Sequence, residues 1–210
     1  VKEVYAEINE GGIKQCFRLK SEDFRDWLLK SWWEAEKSSI TNLTFKSVVE
    51  TLSAKAKFGE NEKIVAHRIG NFKEKIYLDL ADDQWRVIEI DDSGWRICDN
   101  PPITFFRNSS DKALPVPVKG GAIDLLWKYV NIPENQKLLC LSWLIECFRR
   151  DTPDPLLELN GEQGSGKSIT QSYLRNLIDP NRVNLRSMPQ KIDDLLVPAI
   201  HSFIVSLENL

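Results

Sequence analysis

Residues 156–168 read Leu-Leu-Glu-Leu-Asn-Gly-Glu-Gln-Gly-Ser-Gly-Lys-Ser, a short apolar run that enters a glycine-rich turn and leaves it on a helical pattern. Gly161, Gly166, Lys167 and Ser168 stand at the spacing Gly-x-x-x-x-Gly-Lys-Ser, the P-loop pattern. No other feature constrains the fold as much, because a strand must deliver the chain to a tight loop and a helix must start where the loop ends. Such a loop suits a triphosphate. Its backbone N–H groups, from Gly161, Glu162, Gln163, Gly164, Ser165 and Gly166, can crowd around phosphate oxygens, and the helix N-terminus adds partial positive charge. Lys167 is the residue expected at the β- and γ-phosphates, and the Ser168 hydroxyl is expected on Mg²⁺. The expected cofactors are ATP and Mg²⁺.

A second motif follows. Phe203-Ile-Val-Ser-Leu207 reads as a strand closing on Glu208-Asn209. P-loop enzymes place an acid at the end of a neighbouring strand to hold Mg²⁺, and in motor ATPases a second acid commonly polarises the attacking water. Glu208 takes the metal-side position, where Asp is usual, so Ser168 and Glu208 are the expected metal ligands. Asn209 takes the water-side position, and an amide cannot accept a proton. Hydrolysis is then slow, or another residue supplies the base, or Asn209 only orients the water. The expected catalytic set is Lys167, Glu208 and Asn209.

Hydrophobic periodicity supplies the frame. Residues 1–19 read as a hairpin turning at Gly11-Gly12. Ser21 is an N-cap for a helix carrying Phe24, Trp27, Leu28 and Trp32, and a second helix starts near Thr44 with Phe45, Val48, Val49, Leu52 and Ala56. Short β-rich runs follow at Ile64–Ile69, Ile76–Leu80, Trp85–Ile90, Trp95–Cys98 and Thr104–Phe106. His67, alone in the first of these, reads as a satisfied sheet residue. The turn-rich stretch from Asn108 to Gly121 marks a boundary, giving an α+β domain over 1–118 and a P-loop domain over 119–210. In the latter, helices are expected at Ala122–Val130, Glu134–Arg149, Gly166–Ile178 and Pro189–Val197. Strands are expected at Leu156–Leu159, Val183–Leu185 and Phe203–Leu207. That order argues for a parallel α/β sheet. Only about fifty residues follow Leu156, fewer than a P-loop core requires, and the first residue is Val; the expectation is a fragment, truncated at its C-terminus and inactive by itself.

Composition excludes some classes. The net charge is −3, and the part up to Val118 carries 18 Lys+Arg against 20 Asp+Glu, so neither part is a basic nucleic-acid module by charge alone. Cys16, Cys98, Cys140 and Cys147 lack metal-ligand spacing and suit reduced thiols in the cytoplasm. The longest apolar stretch is too short for a membrane span.

Lys167 and Glu208 are 41 positions apart. That compactness resembles the motor domains of viral superfamily-three helicases and related AAA+ proteins. The strings Ile76-Tyr-Leu-Asp-Leu80, Gly94-Trp95, Pro102-Ile-Thr-Phe105 with Arg107, Leu114-Pro-Val-Pro117 with Gly120-Gly121, the loop itself, Ile178-Asp-Pro180 and Ser206-Leu-Glu-Asn-Leu210 together resemble a family of ATP-binding, helicase-like proteins of bacterial prophages and integrative elements. Its members usually show Asp-Asn where this chain has Glu208-Asn209, so Glu208 is the departure. The resemblance implies an ATPase of mobile-element DNA replication or maintenance. The leading expectation is an oligomeric ATP-driven motor on DNA, most simply a replicative helicase completed by an arginine finger from a neighbouring subunit. A nucleotide-dependent switch or scaffold with little turnover is the alternative, and a small-molecule kinase is the third reading.

Overall fold

The chain divides into two compact units: Val1–Ala66 with Ile103–Ser109, and His67–Pro102 with Ser110–Leu210. A computed structural model describes residues 3–59, 62–189, 191, 194–195, 199 and 202–208.

The first unit opens with a hairpin, β1 (Tyr5–Glu10) on β2 (Ile13–Arg18). Gly11 and Gly12 turn it with φ of 61° and 85°, the left-handed pair that matches the strands' twist. Helix α1 (Glu22–Glu36) is capped by Ser21, whose Oγ accepts from the Phe24 N–H at 3.2 Å. Helix α2 (Asn42–Lys57) is capped in the same way by Thr41, so it starts ahead of the expected Thr44. Leu19, Phe24 and Val49 form the core here, with Trp27, Leu28 and Phe45 packed on it. The expected apolar stripe of α1 ends at Leu28, because Trp32 is 39% exposed. The unit also takes in Val65 and Ala66 of the short strand β3 (Val65–His67).

In the second unit the run expected as one strand from Ile64 to Ile69 is split. Arg68 adopts φ of 61°, and His67 pairs with Ile69 across it. An antiparallel meander follows: β4 (Ile69–Phe72), β5 (Lys75–Asp79), β6 (Val87–Asp91) and β7 (Gly94–Cys98). Trp85, expected to begin a strand, sits in the preceding turn at φ 54°. The chain then returns to the first unit as β8 (Thr104–Phe106), where the Thr104 N–H donates to the Ile64 carbonyl at 3.0 Å.

From Ser110 onward the second unit resumes. The two helices expected at Ala122–Val130 and Glu134–Arg149 are shorter: 3₁₀ turns at Ile123–Lys128 and Glu134–Gln136, then α3 (Lys137–Glu146). The segment expected as the strand Leu156–Leu159 alternates in exposure and forms no ladder among the described residues. Helix α4 (Lys167–Asn176) follows the glycine-rich loop. Strands β9 (Arg186–Ser187) and β10 (Leu207–Glu208) pair in parallel, Leu207 with Arg186 and Glu208 with Ser187. They lie just beyond the expected Val183–Leu185 and at the end of Phe203–Leu207. Most of the helix expected at Pro189–Val197 lies outside the described residues. Among the described residues no helix is long and apolar enough to cross a membrane.

The core of this unit joins Ile69 of the meander to Val130, Cys140 and Leu144 of the α3 region, and to Leu174 and Ile178 of the α4 region. Cys140 and Cys147 are both free and buried in it, and burial pushes the Cys147 thiol up to about 12. A buried polar knot reinforces the core. The Asp179 carboxylate is fully enclosed between the Arg68 guanidinium (Nε to Oδ1, 3.2 Å) and that of Arg175 (Nη2 to Oδ2, 3.7 Å). Its Oδ2 also accepts from the Phe203 and Ile204 N–H groups, at 3.0 and 2.9 Å. Arg68 further donates to the carbonyls of Asp79, Lys112 and Pro180. Residues 110–112 run against 180–182, with the Lys112 N–H on the Pro180 carbonyl and the Arg182 N–H on the Ser110 carbonyl. These bonds explain why the compact units divide differently from the boundary expected at Val118: the meander groups with the loop-bearing segment.

Asp179→Ala leaves two buried guanidiniums without their carboxylate and should cost about 3–5 kcal/mol, read by urea unfolding; a loss below about 1 kcal/mol would contradict the knot's role. On the meander, Lys75 and Tyr77 hold the Glu89 carboxyl below its ordinary range, and Arg96 does the same for Asp91. A lowered folded-state pKa contributes stability above the unfolded value and loses it as pH falls. Unfolding midpoints should therefore be flat at neutral pH and decline below about pH 4, less steeply in Arg96→Gln.

Candidate functional site

Two glycines shape the loop. Gly164 and Gly166 take φ of 83° and 80°, a left-handed geometry that costs a side-chain-bearing residue about 1–2 kcal/mol. Gly161 sits close to the loop's own side chain: a Cβ there would lie 2.9 Å from the Ser165 Oγ, which would have to turn away. Gly166 is the N-cap of α4 and offers no side-chain oxygen, so the helix's first N–H groups are not capped by it. The Ser165 Oγ is buried with no hydrogen-bond partner among the described residues. An uncapped helix start behind a loop wound on left-handed glycines fits an anion, which would take up those donors.

The Lys167 ammonium folds back onto the loop. It donates to the carbonyls of Gly161 at 2.7 Å and Glu162 at 2.9 Å. An ammonium has three donors, so one remains for a further acceptor. Asn131 fixes the loop from the other side: its Nδ2 donates to the Ser165 carbonyl at 2.8 Å, and its backbone N–H donates to the Thr170 Oγ1 at 3.0 Å. Glu162, Gln163 and Gly164 are exposed, as is Ser168 at the start of α4.

One hydrogen bond brings the second motif to this helix. The Gln171 side-chain amide donates to the Leu207 carbonyl at 2.8 Å. Gln171 lies three positions after Ser168, on the same helical face one turn on. Glu208, half-buried, immediately follows the bonded residue in β10. Ser168 thus lies one turn before this bond on the helix, and Glu208 one residue after it on the strand. Arg175, two turns further down α4, holds the segment leading into β9 by donating to the Val183 carbonyl at 2.7 Å and to the Asn184 carbonyl. Asn209 lies outside the described residues.

The sequence singled out the loop, Lys167, Ser168 and Glu208; the structure adds Asn131 and Gln171 as side chains bonded to the loop and to the strand end. Gln171 carried a usable signal, a polar residue at helical spacing from Ser168. Asn131 carried none, because its partners lie more than thirty positions away. His67, read as a satisfied sheet residue, has its Nε2 2.9 Å from the Asp111 Oδ2.

Residues 123–210 match the model of a family described as actinomycete integrative conjugative element replication protein. The match spans the α3 region, the loop, α4 and Glu208, and makes this part of the chain similar to a replication-related family of mobile elements. No curated protein and no solved structure matches the chain.

The loop geometry yields a direct test. Gly166→Ala should weaken the loop by about 1–2 kcal/mol, the cost of a left-handed alanine. The measurement is amide hydrogen exchange at residues 163–168. Faster exchange confined to the loop and first turn of α4 is expected; unchanged exchange would show that the loop does not depend on that backbone geometry.

Proposed function

We propose that the second unit is the nucleotide-binding part of a P-loop NTPase of the AAA+ or superfamily-three-helicase type, an ATPase serving replication of mobile-element DNA. The observation that carries this reading is the Gln171–Leu207 bond, because it sets the Glu208 strand against the helix that starts at Lys167 and Ser168. The parallel pairing of β9 and β10 on either side of an intervening segment supports the same fold. The family match over 123–210 supports the setting of mobile-element replication.

In this reading each residue has a defined task. The N–H groups of residues 161–166 bind phosphate oxygens. Lys167 exchanges its contacts with the Gly161 and Glu162 carbonyls for the β- and γ-phosphates. Ser168 and Glu208 would hold Mg²⁺ through the serine hydroxyl and the glutamate carboxylate. The ion, when bound, neutralises charge developing on the phosphates. Asn209 orients the attacking water without taking its proton. DNA is the partner on which turnover acts, and a ring of copies supplies the arginine that completes each site.

A second reading has its own support. Asn209 stands where a proton-accepting acid is common, which favours a switch or scaffold that assembles on ATP with little hydrolysis. One experiment separates the two: MgATP binding and turnover by the protein, with and without single-stranded DNA, beside Lys167→Ala. Turnover that rises several-fold with DNA and is lost in the variant supports the motor. Tight, Lys167-dependent binding without turnover in either condition supports the switch. Binding that Lys167→Ala leaves unchanged would sink both.

A further inference from the structure

Two tyrosine rings stand exposed beside the loop. Tyr129 is 64% exposed and Tyr173 45%, yet their ring centroids are 6.0 Å apart at an interplanar angle of 58°. Their backbones are rigidly placed. Tyr129 precedes Val130, which is 5% exposed, and Tyr173 precedes Leu174, which is 1% exposed; both neighbours lie in the core of the second unit. Ile169, 61% exposed, lies one turn before Tyr173 on the same face of α4 and directly follows Ser168. The Tyr129 segment is tied to the loop itself, since Asn131, two residues on, bonds the Ser165 carbonyl and the Thr170 hydroxyl. An apolar and aromatic shelf therefore runs from the first turn of α4, where phosphates would end, along the outer face of the helix.

We infer that the Tyr129–Tyr173 pair, with Ile169, is the nucleobase subsite of this loop, taking the base of a nucleoside triphosphate by stacking. The inference rests on the P-loop reading above and deepens it. Stacking reads the area of a π-face rather than its edge, so the shelf favours purines over pyrimidines and separates adenine from guanine weakly. Exposed rings fit this task because the faces they leave open to water are covered when a base arrives. The same rings serving only to pack the 3₁₀ segment on α4 would matter for stability and not for ligand choice.

The test is calorimetric binding to the full chain of MgATP, MgCTP and inorganic tripolyphosphate with Mg²⁺. Variants are Tyr129→Ala, Tyr173→Ala, Tyr173→Phe and Lys167→Ala. Each alanine should weaken MgATP about tenfold, as loss of one stacking face does, and leave tripolyphosphate within twofold. Tyr173→Phe should bind as the wild type, and MgCTP more weakly than MgATP. MgATP that depends on Lys167 but is indifferent to both tyrosines overturns this inference alone. Equal loss of MgATP and tripolyphosphate in the alanine variants also overturns it, since the rings would then only hold the loop. If neither ligand binds the wild-type chain, the P-loop reading falls and the subsite with it.

Discussion

The Asp179 carboxylate holds the second unit in register. It is enclosed by two guanidiniums and two backbone N–H groups, and each comes from a different stretch of chain: Arg68 from the entry to the meander, Arg175 from α4, and residues 203–204 from the approach to β10. A buried charge is costly unless its partners are in place, so these stretches must meet in one arrangement. The knot contributes specificity more than net stabilisation, because desolvating three charged groups offsets much of their attraction. Burial also lowers the Arg175 pKa, while the Asp179 carboxylate opposes that shift and keeps the guanidinium charged.

The loop's geometry depends on that arrangement. Helix α4 is fixed at its C-terminal end by Arg175 and Asp179, and by the burial of Leu174 and Ile178. Its N-terminal end is then left to present the loop. Gln171 and Arg175 reach from the helix to the two segments that form the parallel pair, one side chain to each. The helix therefore acts as a ruler on which Ser168, Gln171 and Arg175 stand at successive turns. Strand β10, and Glu208 with it, is positioned by the middle mark.

Much of the site was legible in the sequence because its parts are local. The spacing of Gly161, Gly166, Lys167 and Ser168 specifies a loop and a helix start over eight residues, and the observed left-handed glycines and helix bounds agree with it. Ser21 and Gly11-Gly12 were legible for the same reason: caps and tight turns are decided by a few neighbouring residues. Longer-range features were not. Arg68 sits inside a β-rich run and gives no local sign of the left-handed backbone that splits it, since that strain is compensated by Asp179, far away in sequence. The Trp32 ring shares a helical stripe with Phe24 and Leu28, yet periodicity cannot say where the covering layer ends.

What the sequence by itself determined is the chemistry on offer: a glycine-rich turn with its lysine and serine, and an acid closing an apolar run. The tertiary structure alone decided which surfaces that chemistry faces. It grouped the meander with the loop-bearing segment, set Asn131 under Ser165, aligned β10 with α4 through Gln171, and left Tyr129 and Tyr173 open beside the helix. The physical reason is range. Backbone conformation is chosen by neighbours a turn away, whereas burial and charge pairing are satisfied only by residues that the whole fold brings together.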